Sequence, residues 1–459
     1  MGVVGETLTL DSCVSMALSN NKEMRMAQLQ AEQYRHTEKS YLANYFPNIT
    51  ASAIDLWSTG KGNYKMDIAS MIPASITQGV SEFGQAIAQD LVQAGIFSAQ
   101  EVAQIQQNLH AAYENLEPSI DYKIGNIFNA GISVEQPIYM GGKITAAYHM
   151  GKLGHKMADM NVQLTEDQVI VETHEAYALL LKASELTEVA ERYDSLLSQL
   201  LHDVESAERH GLRGHNDVLK VQVKKSEAEL QLLQARNGRR LAQMNLSQCI
   251  GLPLGTDIEV QEVSDEASAE LTPHSNTVEG RPEYSILDMK SQMAAEKVKL
   301  ERSEFLPQLG VMATLGYTHG LQVMDSYLFH KPSFSVMASL KIPIYHANEA
   351  HHKVKAARLE HERAMLEQEN LVEKMNLEMQ QAANQLDESI LEVQLTRKGL
   401  EQAEDNLRSS RKSYDVGLES TSDMLEAQTL WQQAYAKKVI AECQLLVNVA
   451  KYRKTVGEL

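Results

Sequence analysis

The sequence predicts an internally duplicated chain, mainly α-helical, that also carries a membrane-type β-sheet. Three observations predict it. The stretches "SVEQPIYMGGK" from Ser133 and "SLKIPIYHANE" from Ser339 repeat one plan 206 residues apart. Helix-forming residues dominate, while aromatics make up only 6% of the 459 residues. Four segments of about ten residues alternate between apolar and small or polar side chains, the length a tilted membrane strand needs.

The duplication holds far beyond the opening motif. Aligning Phe128 with Phe334 also matches Pro137-Ile138-Tyr139 with Pro343-Ile344-Tyr345, Gly211-Leu212 with Gly417-Leu418, Asp217 with Asp423, and Gly251 with Gly457. Upstream, "YFPNI" aligns with "FLPQL", pairing Pro47 with Pro307 at an offset of 260. The difference between the two offsets is an insertion of 54 residues in the first copy. A repeat this long is a duplicated domain, not a solenoid unit. The chain therefore divides into a first repeat at 1–251, a linker at 252–280 and a second repeat at 281–459.

Each copy reads helix, strand, connection, strand, long helix, turn, helix. The first helix is predicted to open near Asp11, an acceptable N-cap in "LTLDSC". The strand "NITASAIDLW" follows, its alternation broken at Asp55. The insertion, about 59–124, holds "FSAQEVAQIQQNLHAAYENL". That stretch has a capping box of Ser98 with Glu101 and an apolar face of Val102, Ile105, Leu109, Ala112 and Leu116, so it predicts an amphipathic helix. From Phe128 the apolar set is Phe128, Ala130, Ile132 and Val134, and from Phe334 it is Phe334, Val336, Ala338, Leu340 and Ile342. From Leu309 it is Leu309, Val311, Ala313, Leu315 and Tyr317. A soluble half-buried sheet shows the same alternation. Four strands are too few to close a membrane barrel alone, because such barrels start at about eight.

Proline has no backbone N–H and interrupts a ladder. Pro137 and Pro343 are therefore predicted to end strands, and Pro47 and Pro307 to end helices and open the partner strands. Phe46, Tyr139, Phe305 and Tyr345 are then expected at one level, as in an interface girdle. The segment 145–207 has no proline, and Leu186, Val189, Tyr193, Leu197, Leu200 and Val204 give it one apolar face. In the second copy Leu386, Val393, Leu400 and Leu407 fall seven apart, a coiled-coil period. A helix of about 65 residues spans roughly 100 Å. The glycines at Gly211 and Gly417 mark the reversals, where φ > 0 is needed.

Composition excludes several classes. With 42 basic against 61 acidic residues the net charge is −19, which argues against a nucleic-acid partner. Cys13, Cys249 and Cys443 are scattered and odd in number, so neither a disulfide framework nor a zinc site is expected. No apolar run reaches the length of a membrane helix, and "MGVVGETLTL" lacks a basic start and an apolar core. The chain is thus expected to be either cytosolic or a mature protein behind a Met1-Gly2 start. No phosphate loop, HExxH or GxSxG occurs, so no catalytic residue, cofactor or metal is expected. His346, Glu349, His351 and His352 form the one ligand-like cluster, and neighbouring helical residues such as His351 and His352 point apart. A soluble or surface coiled-coil scaffold competes with a channel, and a need for detergent in extraction separates the two.

The motifs "LTLDSCVSMALSNNKEM", "YFPNIT", "FLPQLG", "QPIYMGGK", "HGLRGHNDVLKVQ" and "VGLESTSDMLEAQ", in this order across two copies, resemble the TolC-type outer-membrane efflux channel family. The resemblance covers nearly the whole chain. It implies a homotrimer in which each chain gives four strands to a shared twelve-stranded barrel, with long antiparallel helices forming a trimeric α-barrel across the periplasm. It implies that 252–280 helps build an equatorial belt and that the insertion lies outside the cell. It also implies an exit duct served by a periplasmic adaptor and an inner-membrane transporter. Adaptor docking falls on the turns Gly211, Leu212, Gly417 and Leu418. The pore constriction falls on Asp217, Asp423 and Glu426, the last two sharing a helix face. Two departures stand out: Lys220 matches Glu426, and Arg213 matches Glu419, so the two turns differ in charge.

Overall fold

A computed structural model describes residues 7–57, 61–64, 104, 120–261, 278–323, 326–327 and 331–459. The chain divides into two compact units. The helical unit comprises Met1–Arg35, Leu153–Gln292 and Glu362–Leu459, and the sheet unit His36–Lys152 and Met293–His361. The elements run β1 (Thr7–Leu8), α1 (Leu10–Asn20), α2 (Lys22–Ala43), β2 (Asn48–Leu56), β3 (Lys61–Tyr64), β4 (Ile120–Met140), α3 (Lys143–Arg209) and α4 (His215–Cys249). They continue as β5 (Glu259–Val260), α5 (Pro282–Ser303), β6 (Gln308–Val323), β7 (Ser326–Tyr327), β8 (Pro332–Lys341), α6 (Glu349–Asp415) and α7 (Thr421–Val456). The long helices α3 and α6 each contain 67 residues and begin 206 apart. Among the described residues, no helix is long and apolar enough to cross a membrane.

In the helical unit the first helix differs from expectation. Thr9, not Asp11, is the N-cap, its hydroxyl accepting from Ser12 N, while Asp11 lies in the first turn where its charge suits the helix dipole. The expected single helix is two, broken at Asn21. That residue adopts an extended ψ of 134°, and its side chain accepts from Glu23 N at 2.7 Å, which restarts the chain as α2. One core gathers Cys13, Ala17, Val169, Tyr177, Leu180, Leu246, Ile250 and Ile258. The Tyr177 hydroxyl reaches the carbonyls of Leu8 at 3.2 Å and Gln261 at 2.6 Å, bracing the parallel β1–β5 pair. A second core, of Tyr193, Leu197, Leu200, Val204, Val218, Val221, Met424, Leu425 and Trp431, lies near the helix reversals. The apolar face read from the sequence of α3 supplies its first four members, and Leu400 and Leu407 pack against it.

The sheet unit is antiparallel in the order β2-β4-β6-β8, with β3 beside β4 and β7 beside β6. Register decides its faces. Ile49, Val134, Ala313 and Val336 stand in one row, and Ala51, Ile132, Leu315 and Phe334 in another on the same face. Between them, on the opposite face, lies the row Thr50, Ser133, Thr314 and Ser335, with the Thr50 and Ser133 hydroxyls 2.7 Å apart. Ile49, Val336 and Phe334 are exposed, so the apolar face is uncovered.

The prolines behave unequally. Pro47 and Pro307 stand directly before β2 and β6, and β8 ends at Lys341, two residues short of Pro343. Pro137 does not end its strand: β4 runs on to Met140. The register shifts between Pro137 and Tyr139, so a bulge at Ile138 directly follows the residue that cannot donate. Of the expected girdle, Phe46, Tyr139 and Tyr345 are exposed. Phe305 instead packs edge-on against His346 at 6.1 Å with Lys353 over its ring. The strands reach into the insertion, since β3 pairs with residues 120–123 of β4. The helix expected around Ser98–Leu116 lies, apart from Gln104, outside the described residues, as does 262–277 of the linker.

Candidate functional site at the helix reversals

Both long helices end in the same hydrogen-bonded turn. Gly211 has φ +74° and Gly417 φ +79°, a region that a Cβ disfavours. Gly211 N donates to Glu208 O at 2.8 Å and Leu212 N to Ala207 O at 2.9 Å. Gly417 N donates to Tyr414 O at 3.0 Å and Leu418 N to Ser413 O at 2.8 Å, a second copy of the same C-terminal cap. This leaves Leu212 77% and Leu418 81% exposed, two apolar side chains at the turn apices.

The next helices start differently. Ser420 caps α7 with a full capping box: Asp423 N donates to Ser420 Oγ at 3.2 Å and Ser420 N to Asp423 Oδ2 at 3.0 Å. The Ser420 hydroxyl, then its backbone N–H, hold the Asp423 carboxyl below the usual range. Asp423 is thus a structural cap as well as an exposed charge. Gly214 occupies the matching place before α4 and offers no side-chain cap. There Asp217 faces Lys220 at 3.6 Å, and Lys220 Nζ donates to Ser422 Oγ at 3.1 Å. Glu426 is exposed in an open cleft of about 580 Å³ between α4 and α7, shared with Leu219, Lys220, Val223, Ser422 and Leu425.

The two turns also hold each other. The Arg213 guanidinium lies over the Tyr414 ring at 4.9 Å and donates to the Glu419 carbonyl at 3.1 Å. The Glu419 carboxylate accepts from the Ser410 hydroxyl. The charge difference between Arg213 and Glu419 is therefore resolved through a ring and a main-chain oxygen, not through an ion pair. The sequence signals the Ser420 cap as S-x-x-D. Nothing in it signals the Arg213–Tyr414 stack, because that contact bridges the two copies. In the sheet unit, His351 and His352 set their rings edge-on, and among the described residues no group of three His, Cys, Asp or Glu is placed to hold a metal ion.

The family model described as outer membrane efflux protein matches residues 119–252 and 279–458. The alkaline protease secretion protein AprF of Pseudomonas aeruginosa is 22% identical over 341 residues, covering 72% of this chain and 69% of the relative. The protein CyaE of Bordetella pertussis is 24% identical, covering 60% of this chain and 58% of the relative. Among solved structures, the CmeC outer membrane channel of Campylobacter jejuni matches with a TM-score of 0.77 at 17% identity, over 98% of this chain and 85% of that one. CusC matches with a TM-score of 0.75 at 13% identity, over 99% of this chain and 95% of that one.

Proposed function

The chain belongs to the outer membrane efflux protein family, and from that premise we propose how it works. It is an exit duct in the bacterial outer membrane, with its sheet in the lipid and its helices in the periplasm. Three copies, each giving four strands, close a twelve-stranded barrel continued below by their helices. The halves 1–251 and 281–459 act as two copies of one unit, and 252–280 contributes to an equatorial belt. A periplasmic adaptor docks on the turns at Gly211-Leu212 and Gly417-Leu418, and an inner-membrane transporter supplies the cargo, which the duct conducts passively. The observation that carries this reading is the sheet, with one uncovered apolar face and two open edges that a lone chain cannot close. The name of AprF, a protease secretion protein, favours polypeptides as the cargo class.

The entrance is gated where Asp217, Asp423 and Glu426 gather at the starts of α4 and α7. Three-fold symmetry turns each into a carboxylate ring, and such rings attract cations. Lys220 neutralises part of the Asp217 charge, so Asp423 and Glu426 dominate. The test is single-channel recording in planar bilayers with Asp423→Asn plus Glu426→Gln, a pair that keeps a side-chain cap on α7. Higher conductance, weaker cation selectivity and loss of block by trivalent cations from the periplasmic side are expected. Unchanged values of all three would place the constriction elsewhere.

A further inference from the structure

The helical unit contains one joint twice, built from different chemistry. In the first copy Gly251 follows α4, and a Cβ there would lie 2.5 Å from Asn20 Cβ. The Asn20 and Asn21 amides donate to the carbonyls of Ile250 at 3.5 Å and Cys249 at 3.3 Å. In the second copy Gly457 follows α7, and a Cβ there would lie 3.5 Å from both C and O of Gly280. The offsets of the repeat match Gly251 with Gly457, and Asn20 and Asn21 with Gly280 and Arg281. Neutral amides thus make the first joint, and a guanidinium stands in the second.

Arg281 is 3% exposed, and two carboxylates meet its charge. It donates to Glu283 at 3.0 and 3.4 Å, and both terminal nitrogens donate to Glu378 of α6 at 3.1 Å. Asp167 of α3 brings a third carboxylate to the same place. The charges that face it are Glu283, Lys454 of α7, Glu166 of its own helix and Arg281. Among the described residues Asp167 makes no ion pair, because Arg281 is already shared by Glu283 and Glu378.

Glu283 has a second cation within reach of the helix pattern. Along the antiparallel pair α5–α6, Lys290 donates to Glu367 at 3.0 Å. One heptad farther along each helix sets Glu283 against Lys374, a rung of the same kind with the signs exchanged. Lys374 is exposed and lies one turn from Glu378 on the same face of α6. In this structure Glu283 turns to Arg281 instead.

We propose that this joint is a proton-operated clasp with two settings. With Asp167 protonated, Glu283 stays on Arg281, and the linker end at Val278–Arg281 is fastened against α6 and α7. With Asp167 ionised, three carboxylates compete for one guanidinium, Glu283 moves to Lys374, and the linker end loosens. The direction follows from linkage. Burial, then Glu283, raise the Asp167 carboxyl to about 6 in the closed joint. Opening returns it to water, where it titrates near about 3.9, so opening releases a proton and rising pH favours it. The amides of Asn20 and Asn21 carry no titrating group, so the first joint does not respond. All of these groups belong to the helical unit of one chain, and the clasp does not depend on how copies assemble or on what they conduct.

Hydrogen–deuterium exchange of the full chain in detergent, read by mass spectrometry and corrected for intrinsic rates, tests this. Between about pH 5 and about pH 7.5, peptides covering 278–285 should lose protection about three- to tenfold, since one pK unit corresponds to tenfold. Peptides covering 18–25 should keep theirs. Asp167→Asn should hold 278–285 at its low-pH protection throughout. Lys374→Gln, at an exposed site, should raise protection of 278–285 at the higher pH and leave it unchanged at the lower. Equal losses at both joints, protection of 278–285 that rises or stays level with pH, or a response that survives in Asp167→Asn overturns the clasp. Wild-type behaviour of Lys374→Gln overturns the exchange between two settings. Should Asp167→Asn fail to fold, the two wild-type joints and Lys374→Gln still decide.

Discussion

The two strand-to-helix junctions share one left-handed turn on different residues. In the first, Gly141 and Gly142 take φ of +62° and +88°; in the second, Ala347 and Asn348 take φ of +45° and +64°. A Cβ at Gly141 would sit 2.6 Å from Ser303 O and 2.8 Å from Leu306 Cβ, so space as well as dihedral demands glycine. At Ala347 the same left-handed backbone is held by a residue that disfavours it, at about 1–2 kcal/mol. Duplication preserved the path of the chain, and each copy then adjusted its residues to its own neighbours.

The helix pairs that flank the junctions in sequence diverged in the same way. In the first copy, α2 and α3 fit by shape. A Cβ at Gly151 would meet the Tyr41 ring at 2.6 Å, Tyr45 and Tyr148 meet edge-on, and the Tyr45 hydroxyl donates to Thr145 Oγ1 at 3.0 Å. In the second copy, α5 and α6 are joined by ion pairs. Lys297–Glu360 at 2.7 Å and Lys353–Glu304 at 3.2 Å lie in the sheet unit, and Lys290–Glu367 at 3.0 Å in the helical unit. Lys290, Lys297 and Glu304 are seven apart, one heptad each, the last directly after α5. The matching residues of the first copy, Gln30, Thr37, Asn44, Ala147, Gly154 and Asn161, carry no charge. One geometry is thus held once by close packing and once by paired charges.

The comparison breaks most sharply at Gly141. Gly141→Ala should destabilise the protein by about 2–3 kcal/mol through strain and a backbone clash. Ala347→Gly should stabilise it by about 1 kcal/mol. Thermal denaturation followed by circular dichroism in detergent reads both, and equal effects of like sign would refute the asymmetry. Asp167 sharpens the contrast on α3. Burial, and then the charge of Glu283, raise its carboxyl to about 6, whereas the matching Glu373 is exposed. The ordinary carboxyl titrates near about 3.9, so the folded state binds the extra proton. Stability from this group is therefore full below pH about 4 and declines as pH rises to about 6. Asp167→Asn should flatten that slope, and an unchanged stability profile between those values would exclude the assignment.

Salt separates the two helix pairs more gently. Each exposed ion pair contributes about 0–1 kcal/mol and is screened at high ionic strength. Raising salt to about 1 M, where the screening length is about 3 Å, should speed amide exchange in α5 more than in α2. Equal acceleration in both would count against the division of labour. The smallest effect is the gain of a cap before α4. Gly214→Ser would place a cap before α4, with Asp217 at the N3 position, and should stabilise by a few tenths of a kcal/mol. Ser420→Ala, removing the cap of α7, should cost about 1 kcal/mol, and loss of that difference in melting experiments would contradict the capping account.

The sequence by itself determined the duplication, its two offsets, the four alternating strands β2, β4, β6 and β8, and the glycine turns at Gly211 and Gly417. These are signals of period and position: alternation by two fixes a strand face, spacing by three and four fixes a helix face, and left-handed φ selects glycine. The tertiary structure alone decided that Pro137 stays inside β4 while Pro343 lies outside β8, because a proline in a ladder depends on the strand across from it and on the bulge beside it. It also decided that Asn21 breaks the first helix, where the Asn20 and Asn21 amides reach the carbonyls of Ile250 and Cys249 near the end of α4. Likewise Arg213 stacks on Tyr414, two residues that a reading along one copy never brings together. Local pattern is set by residues a few positions apart. Where a donor goes unmet or a ring finds a cation is set by chain segments that meet only after folding.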